Sequence, residues 1–323
     1  MLALPDHVTE TIEQMSSRVP QSQLQTFAKK LQDFYAQKIK DLPQIKTKEE
    51  HIAYLNFRLP ATFAAICEVF ERILELLPDV RPTSLLDLGA GPGTSYLAAD
   101  AIFGTVKRAT LVERDPYFIE LGKKFVSENC IWQEQDLEKT LDLGSLFDLT
   151  VLSYSLGELK PEVADSALDF AFKNTSGLLA VIEPGTPKGY ENIIYARDRL
   201  LQKGAHIIAP CPHAKTCPIP QGDWCHFSKR LQRTRLHRQV KGASLGYEDE
   251  KFSYVVFSKK EVQLKPYDRI IRAPQRSQNE VQLTLCTHDG NFEQKRVTKK
   301  DKESFTLQKK ASWGDVLLDD VKA

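Results

Sequence analysis

No apolar run in the 323-residue chain reaches membrane-spanning length, so no transmembrane helix is expected. The N-terminus, Met1-Leu-Ala-Leu-Pro-Asp-His-Val-Thr-Glu10, carries acids and no early arginine. That composition suits neither a secretory signal nor a transit peptide. The expectation is a soluble, cytoplasmic protein of bacterial type, a monomer without a membrane partner. Internal repeats and low-complexity tracts are absent as well. Cysteine is scarce, with six residues, and outside a secretory context disulfides are not expected. Net charge is small, +1, but unevenly spread. Residues 1–204 hold 22 Lys/Arg against 29 Asp/Glu, whereas residues 205–310 hold 21 against 11. An acidic first part joined to a basic second part points to a polyanion held by one side of the molecule. The bland alternative is a solvated basic surface. What is present otherwise is ordinary: 41% hydrophobic residues, enough for one large packed domain plus appendages.

Three of the six cysteines fall within fifteen residues, Cys211-Pro-His-Ala-Lys-Thr-Cys217-Pro-Ile-Pro-Gln-Gly-Asp-Trp-Cys225. Pro, Gly, Lys, His and Asp surround them and offer no apolar face, so a role as small core hydrophobes fits poorly. That role does fit Cys67, inside the apolar run 61–70, and Cys130, at the start of a short strand. A metal centre explains the cluster better. The spacing C-x5-C-x7-C lacks the close cysteine pairs usual for zinc, and irregular spacing with four thiolates suits a [4Fe–4S] cubane. The fourth thiolate must come from elsewhere; Cys286 is the only other cysteine in a polar turn. His213, His226 and His288 lie nearby and leave zinc open as the alternative.

The preceding chain reads as a nucleotide-binding α/β unit. Residues 1–80 are helical, with Leu24, Phe27, Leu31 and Phe34 at helical spacing. Then Ser84-Leu-Leu-Asp-Leu-Gly-Ala-Gly-Pro-Gly-Thr94 runs a strand into three glycines and a helix start. Such glycines let backbone approach a ligand, and the helix end offers N–H groups. This is not the G-x-G-x-x-G of dinucleotide enzymes. The second strand ends in Glu113, placed to accept ribose hydroxyls, and Gln135-Asp136 follows the third. The fourth strand, Phe147–Ser153, opens into Tyr154-Ser-Leu-Gly-Glu158. It carries neither the Asn/Asp-Pro-Pro-Tyr of amino-methylating enzymes nor a cysteine nucleophile. Tyr154 and Glu158 are the candidate acceptor contact and base, or else pocket wall and surface charge.

No acidic residue stands between Trp224 and Tyr247, a window holding Lys229, Arg230, Arg233, Arg235, Arg238 and Lys241. A helix over 226–241 would set Arg230, Arg233, His237 and Lys241 on one stripe, suited to a phosphate backbone. The acids of Tyr247-Glu-Asp-Glu250 are the competing partners. The last part reads as short strands, among them Arg269–Arg272, Val281–Cys286 and Phe305-Thr-Leu307, with a turn at Asp289-Gly-Asn291. The division is therefore a helical region 1–80, an α/β domain 81–260 containing a cysteine-rich basic insertion 205–250, and a β-rich module 261–323.

Asp87-x-Gly89-x-Gly91-x-Gly93 resembles motif I of class I methyltransferases, whose ligand is S-adenosylmethionine (SAM). More of the chain, from Asn56-Phe-Arg-Leu-Pro-Ala-Thr62 to Ala311-Ser-Trp-Gly-Asp315, resembles the small-ribosomal-subunit methyltransferase-like family. The shared signatures include Glu183-Pro-Gly-Thr-Pro187, the Cys-Pro-His and Asp-Trp-Cys-His-Phe elements, and Tyr247-Glu-Asp-Glu-Lys-Phe-Ser-Tyr254. The resemblance implies a Rossmann-like class I methyltransferase sheet. In it SAM would lie against Asp87, Gly89, Gly91, Gly93, Glu113, Asp136 and Ser153. It further implies a [4Fe–4S] cluster on Cys211, Cys217, Cys225 and Cys286, and a partner in small-subunit rRNA during ribosome assembly, contacted by the basic window. An active rRNA or tRNA methyltransferase with a structural metal site is the alternative.

Overall fold

A computed structural model describes residues 3–35, 45–139, 142–233, 238 and 245–318, apart from the side chains at 32, 34 and 35. The chain opens with four helices, α1 (Asp6–Ser16), α2 (Gln21–Tyr35), α3 (Lys48–Phe57) and α4 (Leu59–Leu76). On α2 the stripe Leu24, Phe27 and Leu31 is buried against Ile52, Ala53 and Phe57 of α3; the Phe34 side chain lies outside the described residues. Helix α3 starts in a capping box. Thr47 Oγ1 accepts the Glu50 N–H at 3.2 Å, and the Glu50 carboxylate accepts the Thr47 N–H at 3.2 Å, which satisfies two orphan donors. Helix α4 is buried along most of its length, through Phe63, Ile66, Phe70 and Ile73.

The first sheet contains β1 (Ser84–Leu88), β2 (Arg108–Glu113), β3 (Cys130–Glu134), β4 (Phe147–Ser153), β5 (Thr175–Pro184), β6 (His206–Ala209), β7 (Phe227–Gln232) and β8 (Tyr247–Ser258). Its order is β3-β2-β1-β4-β5-β8-β6, with β7 also on β8. Strands β1 to β5 are mutually parallel, and β8 runs against β5, β6 and β7. Helices α5 (Thr94–Phe103), α6 (Pro116–Gly122), α7 (Pro161–Asn174) and α8 (Pro187–Gln202) make the connections. Continuous apolar strands such as Leu178–Ile182 are buried because helices cover both faces. Strand order reverses between β1 and β4, the switch point where such sheets bind ligands at the carboxyl ends of their strands. This is the class I methyltransferase topology.

The expected helix over 226–241 is not what forms. Residues 227–232 are strand β7, paired with β8 in the register Lys229↔Glu250, Arg230↔Asp249 and Leu231↔Glu248. The segment alternates: Phe227 and Leu231 are buried, and Leu231 packs on Ala61 and Ala64 of α4. Opposite charges facing across two strands stabilise the ladder, and the period of two wins over the helical one.

A second, antiparallel sheet follows, with β9 (Tyr267–Ile270), β10 (Gln275–Arg276), β11 (Glu280–Cys286), β12 (Phe292–Thr298) and β13 (Val316–Leu318). The turn at Asp289-Gly-Asn291 joins β11 to β12, and Gly290 takes φ +86° there, which glycine adopts without strain. Phe305-Thr-Leu307, expected as a strand, lies in helix α9 (Lys302–Gln308). Asp301 caps that helix by accepting the Ser304 N–H at 3.2 Å, and Phe305 packs on Val281, Leu283 and Leu285. The two sheets are tied through α4. Arg72 reaches Glu68, Glu75 and Asp315, and buried Arg269 donates to Glu75 and to the Gly314 carbonyl.

Phe70, fully buried on α4 and against Phe103, tests how far the helical region belongs to the core. Phe70→Ala is expected to cost about 3–5 kcal/mol of stability, as large-to-small changes in packed cores do, measured by urea unfolding.

Candidate cofactor cleft and cysteine cavity

The motif-I residues sit where β1 ends. Gly89, Gly91 and Gly93 all have positive φ, of +78°, +53° and +87°. A Cβ on Gly89 would stand 2.6 Å from Ser155 Cβ, whereas one on Gly91 would meet no atom within 4 Å. Gly91 therefore borders open space. Its N–H donates to Glu113 Oε2 at 2.8 Å, and Glu113 Oε1 accepts the Arg114 and Asp115 N–H groups. Oε2 keeps a lone pair for a ligand hydroxyl. Arg114 lies 3.6 Å from Asp136 and 4.0 Å from Glu158. The Ser153 Oγ, at the end of β4, is buried without a hydrogen-bond partner. Ser155 donates to the Leu88 carbonyl at 2.9 Å and ties the loop after β4 to β1. All seven residues expected at the cofactor thus lie along one edge of the sheet.

Asp87 is the sharpest feature of this edge. It is 1% exposed, and neither carboxylate oxygen reaches a hydrogen-bond partner. Burial pushes its carboxyl up to about 7, with Ser95 alongside opposing and the Glu113 charge adding. Burial likewise raises Glu113 and takes Glu183 to about 7, Asn192 and the Gly157 N–H opposing. Glu158, exposed at the mouth, is pushed upward by the cleft wall while Arg114 opposes. Carboxyls raised in this way return to the charged form when a cation binds among them.

Tyr154 carries the only positive φ of a non-glycine residue among the described residues, +57°. Its hydroxyl donates to Glu250 Oε1 at 3.1 Å, and buried Arg58 forks onto Glu250 at 3.0 and 3.3 Å. Sequence reasoning singled out Tyr154 and Glu158 but did not assign the partners Arg58, Glu250 and Glu183. Only the joining of β8 to β5, in the register Glu183↔Ser253, brings these distant residues to one place.

Cys211, Cys217, Cys225 and Cys286 line a single cavity with Tyr190, Ile193, Ile194 and Arg197 of α8 and Ile271 from the second sheet. Cys211 follows β6, Cys225 precedes β7, and Cys286 ends β11. The Tyr190 hydroxyl lies 3.3 Å from Cys217 Sγ, and His213 Nε2 lies 3.3 Å from Cys286 Sγ. Among the described residues, no three His, Cys, Asp or Glu side chains gather closely enough to hold a single ion. His226 stacks on Trp224, and His288 contacts Asp268, so neither turns to the cavity. Burial and mutual repulsion push the Cys225 and Cys286 thiols well up. Bound metal inverts that preference and holds thiolates. The α8 signal was available in the sequence as Tyr190, Ile193, Ile194 and Arg197, an i, i+3, i+4, i+7 stripe.

Three described cations of the basic window are engaged internally. Lys229 Nζ contacts Glu68 and Glu71, Arg230 forks onto Asp249 at 2.8 and 3.0 Å, and Arg233 meets Glu248 at 3.2 Å. The helical stripe is therefore corrected to strand cations facing strand acids. Arg235, His237 and Lys241 lie outside the described residues; Arg238 is exposed. No described helix is long and apolar enough to cross a membrane.

A family model described as mitochondrial small ribosomal subunit Rsm22 matches residues 48–318. The chain is 28% identical over 337 residues to the mitochondrial Rsm22-cox11 tandem protein 2 of Schizosaccharomyces pombe, covering 84% of this chain and 43% of that protein. It is 26% identical over 288 residues to the mitochondrial ribosome assembly protein METTL17 of Homo sapiens, covering 82% of this chain and 62% of that one. It thus spans about half the length of these relatives. A putative RNA methyltransferase of Pyrococcus horikoshii is similar with a TM-score of 0.43 and 15% identity, over 72% of this chain and 95% of that one. Both relatives are mitochondrial, which overturns the cytoplasmic, bacterial-type expectation. That expectation rested on the composition of ten residues, which carries less than relatedness across most of the chain.

The unpaired carboxylate of Asp87 gives a signed pH prediction. Its carboxyl titrates near 7 when folded against 3.8 ordinarily, so ionisation works against the ligand-free fold as pH rises through that window. Asp87→Asn should melt above the wild type at pH 8, and the gap should close by about pH 4. Thermal melts across pH check this, and a gap independent of pH would contradict it.

Proposed function

The chain belongs to the Rsm22 family, and from that premise we propose that it is a SAM- and iron–sulfur-binding factor of the small ribosomal subunit, acting on its rRNA during assembly. The observation that carries the proposal is the cavity shared by cysteines from two separate stretches of chain, three from the loop between β6 and β7 and one from the end of β11. All four cysteines line that one space. A single zinc ion, with Zn–S distances of about 2.3 Å, needs tight convergence. A cubane, in which each iron takes one thiolate, spreads its ligands. Cys211, Cys217, Cys225 and Cys286 would hold it, and a cluster so held would fasten the two sheets.

For SAM, the fit lies in the raised carboxyls of Asp87, Glu113 and Glu183 and in the open space at Gly91. SAM supplies a methyl group on a cationic sulfur. Asp87 would face its positively charged end and Glu113 Oε2 its hydroxyls. The acceptor end is closed by side chains: Arg58, Glu250 and Tyr154 hold one another, which favours binding without transfer. An active rRNA or tRNA methyltransferase is the second reading. The backbone of Tyr154, held in a sparsely populated region where acceptors dock, favours it, with Glu158 taking the proton. The paired state of Lys229, Arg230 and Arg233 shifts the expected rRNA contact toward exposed Arg238 and the neighbouring cations.

Two outcomes are expected. Anaerobically purified protein should be brown and contain about four irons per chain, and Cys217→Ser or Cys286→Ser should lose iron and melt lower, because metal binding here is also folding energy. Colourless, iron-free wild type would refute the cluster. Arg238→Glu should weaken retention on small-subunit rRNA and flatten its dependence on salt, since fewer counterions are released; an unchanged salt slope would count against that contact. Methyl incorporation into rRNA from a deletion strain separates the two readings.

A further inference from the structure

Two of the largest fully buried side chains in the molecule are arginines, Arg197 and Arg269, 2% and 0% exposed. Arg197 lines the cysteine cavity and Arg269 donates to the carbonyl next to Cys211, and each meets a carboxylate that is itself partly solvated. Arg197, on the cavity wall, donates from Nη1 to Asp198 at 2.9 Å, but the Asp198 side chain is 56% exposed. Its Nη2 contacts the carbonyls of His213 and Lys215 in the cysteine loop, and its buried Nε has no acceptor. Arg269 lies one layer behind. Its Nε donates to the carbonyl of Pro210, next to Cys211, at 3.1 Å. Its Nη1 donates to Gly314 and to Glu75, whose side chain is 30% exposed. Its Nη2 is buried without a partner. An isolated buried guanidinium costs several kcal/mol unless a counter-charge meets it.

We propose that Arg197, backed by Arg269, is the counter-charge of an anionic four-thiolate centre in this cavity and sets that centre's reduction equilibrium. The proposal rests on the cluster reading above. If the cysteines were neutral thiols, two buried cations would share two partly solvated carboxylates. A [4Fe–4S] core on four thiolates has a net charge of about −2, which balances the two guanidiniums. One electron added to it, from an electrode or dithionite, takes that charge to about −3 and forms or breaks no bond. In a low-dielectric site a fixed cation favours the more negative state. Arg197 is a positioning and charge-setting residue here; it ligates nothing.

The test compares wild type, Arg197→Gln and Arg197→Lys as full chains, purified anaerobically and titrated electrochemically with the reduced cluster followed by electron paramagnetic resonance. Arg197→Gln should shift the reduction equilibrium at least tenfold toward the oxidised form, about 59 mV for one electron, while Arg197→Lys stays near wild type. Equal potentials in all three would overturn the proposal. If Arg197→Gln folds but takes up no iron, full loading of Arg197→Lys supports the charge requirement, and equal failure of Arg197→Lys overturns it. Should the centre stay oxidised over the whole range, the rate at which a chelator strips iron is read instead. That rate is expected to be at least tenfold faster in Arg197→Gln than in Arg197→Lys, and equal rates overturn the idea. Iron-free wild type would sink the cluster reading itself, a result distinct from each of these.

Discussion

The cavity between α8, β8 and the second sheet is the constraint on which the rest of the molecule depends. Cys286 reaches it from β11, and the other three cysteines reach it from the loop between β6 and β7. Buried sulfur, buried guanidinium and the tyrosine hydroxyl of Tyr190 meet there. Apolar packing alone would not bring such groups together, because each loses hydration on burial. The cluster proposed for this cavity would offset that cost, its negative charge being opposite to that of the arginines. The sheets are also tied by polar contacts, Arg72 and Arg269 to Glu75 and Asp315 and the Tyr267 hydroxyl to Ile208, and by Ile271 and Trp313 packing into the core of the first sheet.

The cofactor cleft has the reverse character. There the buried groups are carboxyls raised by desolvation, which is why the proposal places the cationic end of SAM among them. One helix serves both places. Tyr190, Ile193, Ile194 and Arg197 of α8 face the cavity, while Asn192, donating to Glu183 at 2.9 Å, belongs to the cleft side. The Glu183 carboxylate in turn accepts the Gly157 N–H in the loop after β4. The cysteine cavity and the carboxyl-lined strand ends are therefore held at a fixed relation by a single helix that starts directly after β5.

Much of this was legible in the sequence because it is local. The α2 stripe, the glycines after β1 and the apolar strand runs each follow from near neighbours and a single period. The three clustered cysteines announce themselves by composition. The segment 226–241 misled because its arginines satisfy a helical spacing, whereas the ladder that forms depends on acids at 248–250 of the partner strand. Phe305-Thr-Leu307 misled because three residues cannot distinguish a strand from a helix capped by Asp301. Arg197 and Arg269 read as surface cations among many. Only the fold reveals that they are buried, and only burial gives their charge its meaning.

The paired basic strand bears on how the molecule would meet a polyanion. An exposed arginine forked onto an aspartate, as Arg230 is onto Asp249, loses little by exchanging partners, since exposed pairs contribute about 0–1 kcal/mol. Lys229, held between Glu68 and Glu71 of α4, and Arg233, half-buried against Glu248, have more to lose. Phosphate recognition centred on exposed Arg238 would thus draw in Arg230 at the least cost to the fold. It would leave the inner cations to hold α4 against the sheet. In that division the same run of positive charge has a structural end and a binding end, and the boundary between them is set by burial, which the sequence does not display.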